Sequence, residues 1–575
     1  MKYDIIFIHA PSIFDFREKP ILSGPISDVV PSTTMFEMYP VGFVTLSDYL
    51  EKKGFRTRIA NIAIRMLTQP KFNVERFIQS LDANIFGFDL HWLMHAQGSV
   101  ELAKLVKKHH PNTPIIFGGL SSTYFHEELI RYPQVDMVMK GDSTEEPMRI
   151  LLDILKKGGG GDLSQVPNLT WKDRAGVIHS QPITYVPERL TDSHINYARV
   201  IKSAIRNRDI RSYLPFKDFL RYPIVALLTC RGCSNNCSIC GGSRFAYTKF
   251  YNRPNIAMMD PERLAFDIAD AASYFAGPVV LVGDLQAGGL EYVDRFLDTL
   301  SRYKFKNMVV FEFWDLPPKE FYEKVSKSLS NWSFEISCES QDPIIRRKFG
   351  KANYTNEELK QAINDGLNAG AKRADVYLFM GIPFQTRESI LEIPEFAEYL
   401  YDSLDVEANR LVFLAAPLAP YVDPGSLAFE RPSHYGYRIV RRTLAEHIEG
   451  MVAPSWKYGL NYESDYIDRD SFVKATYECA LRLNEIKRAK GAISKSNAEH
   501  VERNIIEAVY IMDKIDEIYN SRLSPQEKEV KYFELKNEMA SHSMSTVCEK
   551  RELEWSVPAL RKFKIRGLIK AMLLK

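Results

Sequence analysis

The segment LTCRGCSNNCSICGGS, residues 228–243, contains four of the seven cysteines in a chain of 575 residues. Their spacing is Cys230-x2-Cys233-x3-Cys237-x2-Cys240. A zinc ribbon also uses C-x2-C pairs, but its two pairs usually lie about a dozen or more residues apart. Four thiolates this close together favour an iron–sulfur cluster, because soft sulfur ligands suit the iron of such clusters. The segment therefore predicts a cluster-binding loop and not a disulfide framework.

The inner three cysteines, Cys233, Cys237 and Cys240, have the spacing C-x3-C-x2-C. The bacterial ferredoxin run differs, since it is C-x2-C-x2-C-x3-C-P, and Gly241 stands here where that run has proline. The trio resembles the signature of the radical S-adenosylmethionine (SAM) enzymes. The resemblance implies a [4Fe–4S] cluster on three thiolates, SAM on the fourth iron, and hydrogen-atom abstraction from an unactivated carbon. For Cys230, a small buried residue, an alternative ligand and a radical-quenching thiol all remain open.

The chain around this loop predicts an incomplete parallel barrel over residues 216–430. Strand-like and helix-like segments alternate there, which is typical of βα units around a parallel sheet. Asp260-Pro261 marks one helix start, Thr355 with Glu358 forms a capping box, and Gly370 closes that second helix. In such barrels the chemistry lies at the carboxyl ends of the strands. The six predicted strands are PIVALLT (223–229), PVVLVG (278–283), NMVVFEF (307–313), SFEISC (333–338), ADVYLFM (374–380) and VEANRLVFL (406–414).

Several of these strands end in motifs that resemble the SAM-contacting positions of the radical SAM family. Strand two ends in GDLQ (283–286), strand four in ES (339–340), and strand five in MGIPFQT (380–386), similar to the family's GLPGET. Phe384 and Gln385 depart from that last pattern. After strand six, PGS (424–426) resembles the family's PGT. The resemblance implies SAM contacts by Gly283, Asp284, Gln286, Glu339, Ser340 and Gly381.

Residues 1–155 predict a doubly wound α/β domain, because five strand-like segments alternate with amphipathic ones. The predicted strands are YDIIFI (3–8), FRTRIAN (55–61), NIFGFD (84–89), PIIFGG (114–119) and VDMVMKG (135–141). This part resembles the Rossmann-like cobalamin-binding domain that precedes many radical SAM barrels. The resemblance is carried by HAPS (9–12), MYPVGFVTLSDYLEKKGF (38–55), IIFGGLSS (115–122) and VDMVMKGDSTEEP (135–147).

The resemblance implies cobalamin contacts by Pro40, Gly42, Gly118, Gly119, Gly141 and Asp142. Glycines at a strand end let the backbone approach a bulky nucleotide tail closely. A degenerate domain that has lost cobalamin is the alternative. The loop after the first strand, residues 11–14, lacks the D-x-H-x-x-G motif of proteins that ligate cobalt with histidine, so we expect no such ligand.

Two histidines near the third strand have two interpretations. Asp89-Leu90-His91 follows that strand, and His95 lies one helical turn further on. A metal pair or another cofactor contact is one interpretation. Capping or polar surface residues are the other.

Two further regions complete the predicted organisation. Residues 156–215 start with KKGGGG (156–161) and predict a linker with a small hairpin. From about residue 430 we expect no more strands, so residues 431–575 predict an α-helical C-terminal domain. Within it, helical spacing predicts a core-facing stripe of Val501, Ile505, Ala508, Met512, Ile515 and Tyr519.

The C-terminal sequence PALRKFKIRGLIKAMLLK has six basic residues from Arg561 to Lys575 and no acidic one. Its leucines and Phe563 with these charges are consistent with peripheral contact to an anionic membrane. A docked or frayed terminal helix is the alternative. If the membrane interpretation is right, a lipid is one candidate substrate.

Composition narrows the class of protein. The chain is 45% hydrophobic and 26% charged, and its formal net charge of +2 predicts no nucleic-acid partner. With no apolar run near the roughly 18 residues of a membrane helix and few cysteines outside one cluster, we expect a cytoplasmic protein. The family resemblance implies a flavodoxin- or ferredoxin-type electron donor, and C-methylation of a small molecule or lipid. Ring formation, carbon–carbon coupling and a non-catalytic iron–sulfur electron carrier are the alternatives.

Overall fold

Two parallel sheets and a C-terminal group of helices make up the computed structural model of the chain. It describes residues 2–20, 22, 37–39, 41–156, 162–304, 306–351, 353–538, 547–557 and 562–573. Pro40, the four glycines of residues 158–161, Arg561 and Lys575 lie outside these ranges. No helix among the described residues is long and apolar enough to cross a membrane.

The first sheet has seven strands in the order β2-β1-β3-β4-β5-β6-β7. All five predicted strands are present and pair in parallel, and β1 is buried along its whole length, as expected for a strand covered on both faces. The strands are β1 (Ile5–His9), β2 (Thr57–Asn61), β3 (Phe86–Asp89), β4 (Ile115–Gly118), β5 (Met137–Met139), β6 (Leu169–Lys172) and β7 (Ile178–Ser180). The helices of this part are α1 (Val41–Lys52), α2 (Ile62–Thr68), α3 (Val74–Gln79), α4 (Ala96–His109), α5 (Leu120–Tyr124), α6 (His126–Leu129), α7 (Glu145–Lys156) and α8 (Tyr197–Arg206).

The predicted hairpin is present as β6 and β7, but it is more than a linker feature. It pairs antiparallel with β5 and extends the first sheet by two strands. The edge of β5 is thereby covered, which removes an open row of backbone donors and acceptors. Sequence patterns mark a hairpin but do not show which sheet it joins.

The second sheet contains all six predicted strands, paired in parallel in the order β15-β14-β13-β12-β11-β8. The two edge strands, β8 and β15, are not paired with each other, so the barrel is incomplete. Its strands are β8 (Val225–Leu228), β11 (Val279–Val282), β12 (Val309–Phe313), β13 (Trp332–Glu339), β14 (Ala374–Met380) and β15 (Leu411–Pro417). Two short strands, β9 (Cys230–Arg231) and β10 (Ala257–Met258), form a separate antiparallel pair. The helices are α9 (Arg244–Phe250), α10 (Pro261–Tyr274), α11 (Leu290–Ser301), α12 (Lys319–Ser328), α13 (Pro343–Phe349), α14 (Asn356–Asn368), α15 (Arg387–Leu391), α16 (Ile393–Ser403) and α17 (Leu427–Glu430).

The predicted helix signals of the barrel are confirmed. Asp260 caps α10 with proline at its first position, and Thr355 forms a capping box with Glu358 at the start of α14. Gly370 follows α14 with a φ of 113°. One boundary was wrong: β15 begins at Leu411, because residues 408–410 form a short 3-10 turn.

The C-terminal part is mainly helical, as predicted. Its helices are α18 (Leu444–Met451), α19 (Trp456–Gly459), α20 (Arg469–Ala489), α21 (Lys495–Tyr519), α22 (Pro525–Glu538) and α23 (Ile565–Leu573). The expectation that strands stop near residue 430 was wrong, because β16 (Tyr437–Ile439) and β17 (Tyr462–Ser464) form an antiparallel ribbon. Strands of three residues are too short to show an alternating pattern.

The predicted stripe on α21 is buried except at its end. Val501, Ile505, Ala508, Met512 and Ile515 belong to the buried positions of α21. Tyr519 is 47% exposed and stacks on Tyr458 with ring centroids 3.8 Å apart, so its assignment to the core was wrong. It lies in the last turn of the helix, where periodicity alone does not fix burial.

A segment near the C-terminal end of the chain packs against the barrel sheet. Trp555 packs with Val280, Met308 and Val310, residues of or beside barrel strands, in one small buried cluster. The guanidinium of Arg373 donates to the backbone carbonyls of Glu552 and Glu554 and thereby holds this segment. The aminoterminal ends of the strands are therefore closed by the tail, which leaves the carboxyl ends for a ligand.

Candidate active site

The three predicted cluster cysteines lie in one loop between the β9 strand and α9. The backbone N–H of Asn235 donates to Cys233 Sγ at 3.4 Å, and that of Gly242 donates to Cys240 Sγ at 3.3 Å. Such N–H···S bonds stabilise thiolates and are a known influence on iron–sulfur sites. All seven cysteines of the chain are free of disulfides.

A neighbouring helix end holds this loop in place. Ser238 N–H donates to the carbonyl of Phe349, the last residue of α13, at 2.8 Å. Gly350 follows with a φ of 94°, and a Cβ on it would lie under 3.0 Å from the Asn236 carbonyl. The backbone of the cysteine loop therefore touches the backbone of the α13 end, an approach that only glycine permits.

The donor set fits an iron–sulfur cluster better than a single ion. Within the described ranges, no three His, Cys, Asp or Glu side chains are grouped as ligands of one metal ion. A cluster binds each thiolate through a different iron and needs no such grouping. Burial raises the pKa of the Cys237 thiol to about 12 and also raises the pKa of Cys233 and Cys240. Thiolates in this loop therefore need a positive partner, which bound iron supplies.

Cys230 differs from the trio in its surroundings. It lies on β9, pairs with Met258 of β10 and is 7% exposed. Burial raises the pKa of its thiol to about 12. A Cβ on Gly283 would lie 3.0 Å from Cys230 Sγ, so the thiol packs against the end of β11. This placement agrees with the interpretation of Cys230 as a small buried residue.

The end of β11 brings Gly283, Asp284 and Gln286 together. Gly283 has a φ of 106°, and its N–H donates to Glu312 Oε2 at 2.6 Å. Asp284 accepts the backbone N–H of Gln286 at 2.8 Å and of Trp314 at 2.9 Å. Burial nevertheless raises the pKa of Asp284 to about 6. Asp284 thus fixes the turn, and a ligand near it would meet a carboxyl group that holds a proton more easily than usual.

The end of β13 presents a buried carboxylate oxygen without a hydrogen-bond partner. Glu339 lies at an irregularity of the strand pairing with a φ of 66°. Its Oε1 lies 3.2 Å from Lys351 Nζ, and both side chains are nearly fully buried. Among the described residues, its Oε2 has no hydrogen-bond partner. Because a buried unpaired acceptor is costly, this atom fits a site whose ligand donates a hydrogen bond.

Ser340 and Gly381 have mainly structural contacts. Ser340 Oγ accepts the N–H of Asp342, the N-cap of α13, at 3.2 Å. The Gly381 carbonyl accepts the Tyr437 hydroxyl at 2.7 Å, and a Cβ on Gly381 would lie 2.6 Å from the Phe472 ring. Gly381 therefore packs against the C-terminal domain.

At the first sheet, the carboxyl edge carries a buried histidine cluster. His9 Nδ1 lies 3.0 Å from Asp89 Oδ1, and the rings of His9 and His95 are 4.6 Å apart. His95 Nδ1 is bonded to the carbonyl of Ala10 at 3.1 Å. Burial is the main cause that lowers the pKa of His95 to about 3. His95 therefore supports the loop after β1, and it does not share a helix face with His91.

The predicted cobalamin contacts are spread over different environments. Gly119 has a φ of 117°, and a Cβ there would lie 2.6 Å from the His91 backbone. Gly118 and Gly141 lie at the ends of β4 and β5, and the Gly141 N–H donates to Thr123 Oγ1 at 3.0 Å. Gly42 lies in α1 with no atom within 4 Å of a Cβ.

The turn after β5 is bound to the barrel by buried arginines. Asp142 pairs with Arg253, which also donates to Ser143 Oγ at 3.1 Å. Glu145 pairs with Arg231, a residue of the cysteine segment, at 2.8 Å. These pairs were missed from the sequence, because no local pattern relates residues that lie 111 and 86 positions apart. The Asp142 carboxylate, predicted to contact cobalamin, is engaged by Arg253.

Between the two carboxyl edges lies a cleft of about 480 Å³. Its lining residues are His91, Trp92, Leu93, Met94, Leu120, Ser121 and Tyr124 of the first domain, and Cys240, Gly241, Gly242, Tyr251, Ala419, Pro420, Tyr421, Asp423 and Pro424 of the barrel. Asp423, which the sequence analysis did not single out, accepts the Gly241 N–H at 2.9 Å. The cleft brings the last cysteine of the cluster loop next to the loop that follows β3.

The comparisons with known proteins agree with this arrangement. The model of the B12 binding domain family matches residues 28–151. No curated protein matches the chain. Among solved structures, the cobalamin-dependent SAM radical enzyme OxsB with aqua-cobalamin bound matches with a TM-score of 0.57 and 12% identity, over 99% of this chain and 78% of that one.

A second solved structure is similar over a smaller part of the chain. It is the radical SAM methyltransferase TsrM from Kitasatospora setae, with tryptophan substrate and a SAM analogue bound. The TM-score is 0.52 and the identity 14%, over 76% of this chain and 78% of that one. Residues 28–151 thus form a B12-binding domain, and the chain as a whole has the fold of the cobalamin-dependent radical SAM enzymes.

Proposed function

We propose that this protein is a cobalamin-dependent radical SAM enzyme that methylates an unactivated carbon of a small-molecule or lipid substrate. The observation that carries the proposal is the cleft, because it joins the cysteine loop of one domain to the ligand edge of the other. When bound, the cluster supplies the electron that cleaves SAM, and cobalamin supplies a carrier for the methyl group. Hydrogen abstraction and methyl transfer take place at the same substrate carbon, so the SAM site and the cobalamin must both lie close to it.

The residues of the chain take three roles in this proposal. Cys233, Cys237 and Cys240 hold the cluster, and backbone N–H groups that donate to Cys233 and Cys240 stabilise the negative charge on sulfur. Glu339 offers its unpaired Oε2 to a hydrogen-bond donor of SAM, while Lys351 balances the charge of the carboxylate.

The walls of the cleft take a further role. Its aromatic lining, including Trp92 and Tyr421, excludes water from reactive intermediates. An electron donor of the flavodoxin or ferredoxin type has to reduce the cluster from outside.

The test is anaerobic reconstitution with iron and sulfide, followed by reductant and SAM. We expect 5′-deoxyadenosine even without substrate, because abortive cleavage is common in this class of enzyme. The Cys237→Ala variant should lose cluster iron and all product above background. Cys479→Ala is the control, since Cys479 is a buried cysteine on α20, outside the loop.

A non-catalytic electron carrier gives the opposite result. A wild-type protein that holds a full cluster and reduces reversibly, but forms no 5′-deoxyadenosine, would sink the enzyme proposal. Cobalamin is tested separately by the visible absorption spectrum of the reconstituted protein, and a chain that takes up no corrinoid would indicate a degenerate first domain.

Ring formation or carbon–carbon coupling is the second candidate outcome, because the same two cofactors serve it and the cleft does not distinguish it from methylation. Metabolite and lipid profiling of a deletion strain identifies the substrate. A substrate that accumulates one methyl group short of its product supports methylation. A mass difference of two hydrogens supports ring formation or coupling.

A further inference from the structure

The last described helix, α23, is firmly docked. It packs on α8 and α10, with the N–H of Lys564 donating to the Tyr274 carbonyl at 2.8 Å. A Cβ on Gly567 would lie under 3.0 Å from the Ser273 carbonyl, so the helix crosses α10 at very close range. Ala571 is fully buried on the same side. The terminal helix is therefore a fixed part of the fold and not a frayed end.

The opposite face of α23 is also apolar. Ile565, Ile569 and Met572, spaced at i, i+4 and i+7, are 71%, 49% and 55% exposed. This spacing places the three side chains on one stripe of the helix. A docked surface helix normally turns polar side chains outward. An outward apolar stripe therefore indicates a further contact surface.

The sequence around this stripe is basic. Residues 561–575 carry six basic residues and no acidic one, although the whole chain has a net charge of only +2. On the neighbouring α8, Arg199 and Arg206 pair with Asp48 and Glu51, so Lys202 is the basic residue left for a partner. Ile205 of the same helix is 50% exposed. Arg566 is exposed and Lys202 is half-buried, and neither forms an ion pair within the part of the chain that the structure describes.

We propose that the face formed by α23 and α8, the α8–α23 face, binds peripherally to an anionic lipid bilayer. Isoleucine and methionine side chains enter the interface between headgroups and acyl chains, and basic residues near an anionic surface strengthen the binding. A bilayer complements the face in both respects, because it offers apolar depth and negative charge over a wide area. The proposal is independent of the radical chemistry proposed above.

The test uses the full reconstituted chain and sedimentation with vesicles. We expect binding to vesicles of phosphatidylcholine with phosphatidylglycerol, and at least tenfold weaker binding to pure phosphatidylcholine. The triple variant Ile565→Gln, Ile569→Gln, Met572→Gln should lose at least tenfold in binding to the anionic vesicles. The control is Ile506→Gln with Tyr510→Gln on α21, where the side chains are 58% and 59% exposed, and it should bind like wild type.

Two further measurements separate the causes. Arg566→Gln should weaken binding and reduce its dependence on salt. Thermal unfolding of the triple variant should match wild type, because its side chains point away from α10. Cys237→Ala should bind vesicles normally, so failure of the enzyme proposal leaves this one testable.

Three results would overturn the proposal. The first is no binding of the wild type to anionic vesicles. The second is equal loss of binding in the α21 control. The third is a wild-type dimer in light scattering that the triple variant dissociates, which would assign the stripe to a second copy of the chain.

Discussion

The carboxyl edges of the two sheets face the same cleft but use their polar residues differently. At the barrel edge, Glu339 keeps a buried oxygen unpaired and the cysteine loop keeps three free thiols. At the first sheet, Asp142 is paired with Arg253, and Asp89 is bonded to His9. The barrel edge therefore has side chains that are available to ligands, whereas the charged side chains at the edge of the first sheet are paired with other residues of the protein.

This difference explains which glycines matter. Gly350 and Gly119 both have positive φ, and in both the space for a Cβ is filled by backbone. Gly350 abuts the cluster loop, and Gly119 abuts the loop after β3 that lines the cleft. Both edges therefore use glycine to place a loop, but only at the barrel does that loop carry predicted ligands.

The largest expected effect is that of Gly350→Ala. The new Cβ would lie under 3.0 Å from the Asn236 carbonyl, and neither partner is a flexible side chain. We expect a loss of about 5 kcal/mol in the free energy of unfolding and poor retention of iron. Gly491→Ala is the control, because Gly491, just after α20, has a φ of 73° and no described atom within 4 Å of a Cβ. That variant should cost only about 1 kcal/mol of backbone strain and keep its iron. Equal losses in urea unfolding would show that the contact with the cysteine loop is unimportant.

The second-largest effect is expected at the ion pair between Arg231 of the barrel and Glu145 of the first domain. Arg231→Met leaves Glu145 buried without its partner, which should cost about 3–5 kcal/mol. The double variant Arg231→Met, Glu145→Leu should recover most of that loss, since an apolar pair needs no compensation. Arg295→Met, which removes an exposed pair with Glu262, should leave the free energy of unfolding nearly unchanged. If Arg231→Met costs no more than Arg295→Met in urea unfolding, the pair does not hold the domains together.

Most of the fold follows from local patterns, and the contacts across the cleft do not. The cysteine spacing carried the family resemblance, and six strand-like runs between helical segments predicted the barrel, because both are short-range features. Arg231, Arg253 and Lys351 gave no signal, since an isolated basic residue looks the same whether it is exposed or paired. The ribbon of β16 and β17 was missed because three residues show no period.

The histidine cluster at the carboxyl edge of the first sheet predicts that the free energy of unfolding depends on pH. His95 has a pKa lowered to about 3 by burial, so the folded protein keeps it neutral while the unfolded chain takes up a proton below its ordinary pKa of 6.5. The unfolded state then binds more protons, so stability falls as the pH drops through 6.5 towards 3. At pH 5.5 the loss from this one group is about 1.4 kcal/mol.

His95→Gln should flatten this slope between pH 7.5 and 5.5 while keeping a donor to the Ala10 carbonyl. The matched variant is His447→Gln in the C-terminal domain, whose pKa is lowered to about 4, and it removes a slope of similar size. Urea unfolding at the two pH values measures both. If His95→Gln keeps the full wild-type slope, His95 is not buried in the neutral form.

The smallest expected effect is that of a substitution at the start of α1, and it tests whether this helix end lies at the ligand-binding edge of the first sheet. Gly42 is the second residue of α1, and no described atom outside the helix backbone lies within 4 Å of a Cβ there. A glycine inside a helix costs about 0.5–1 kcal/mol relative to alanine, which is the upper limit for this first-turn position. Gly42→Ala should therefore raise the free energy of unfolding by at most that amount. The same variant reports on the predicted cobalamin contact, because a methyl group would obstruct a ligand that needs the bare backbone. Higher stability with unchanged corrinoid uptake would remove Gly42 from the ligand edge, whereas weaker uptake with higher stability would place the cobalamin tail against α1. Gly119→Ala is the contrast: there the Cβ meets the His91 backbone, so stability and uptake should fall together.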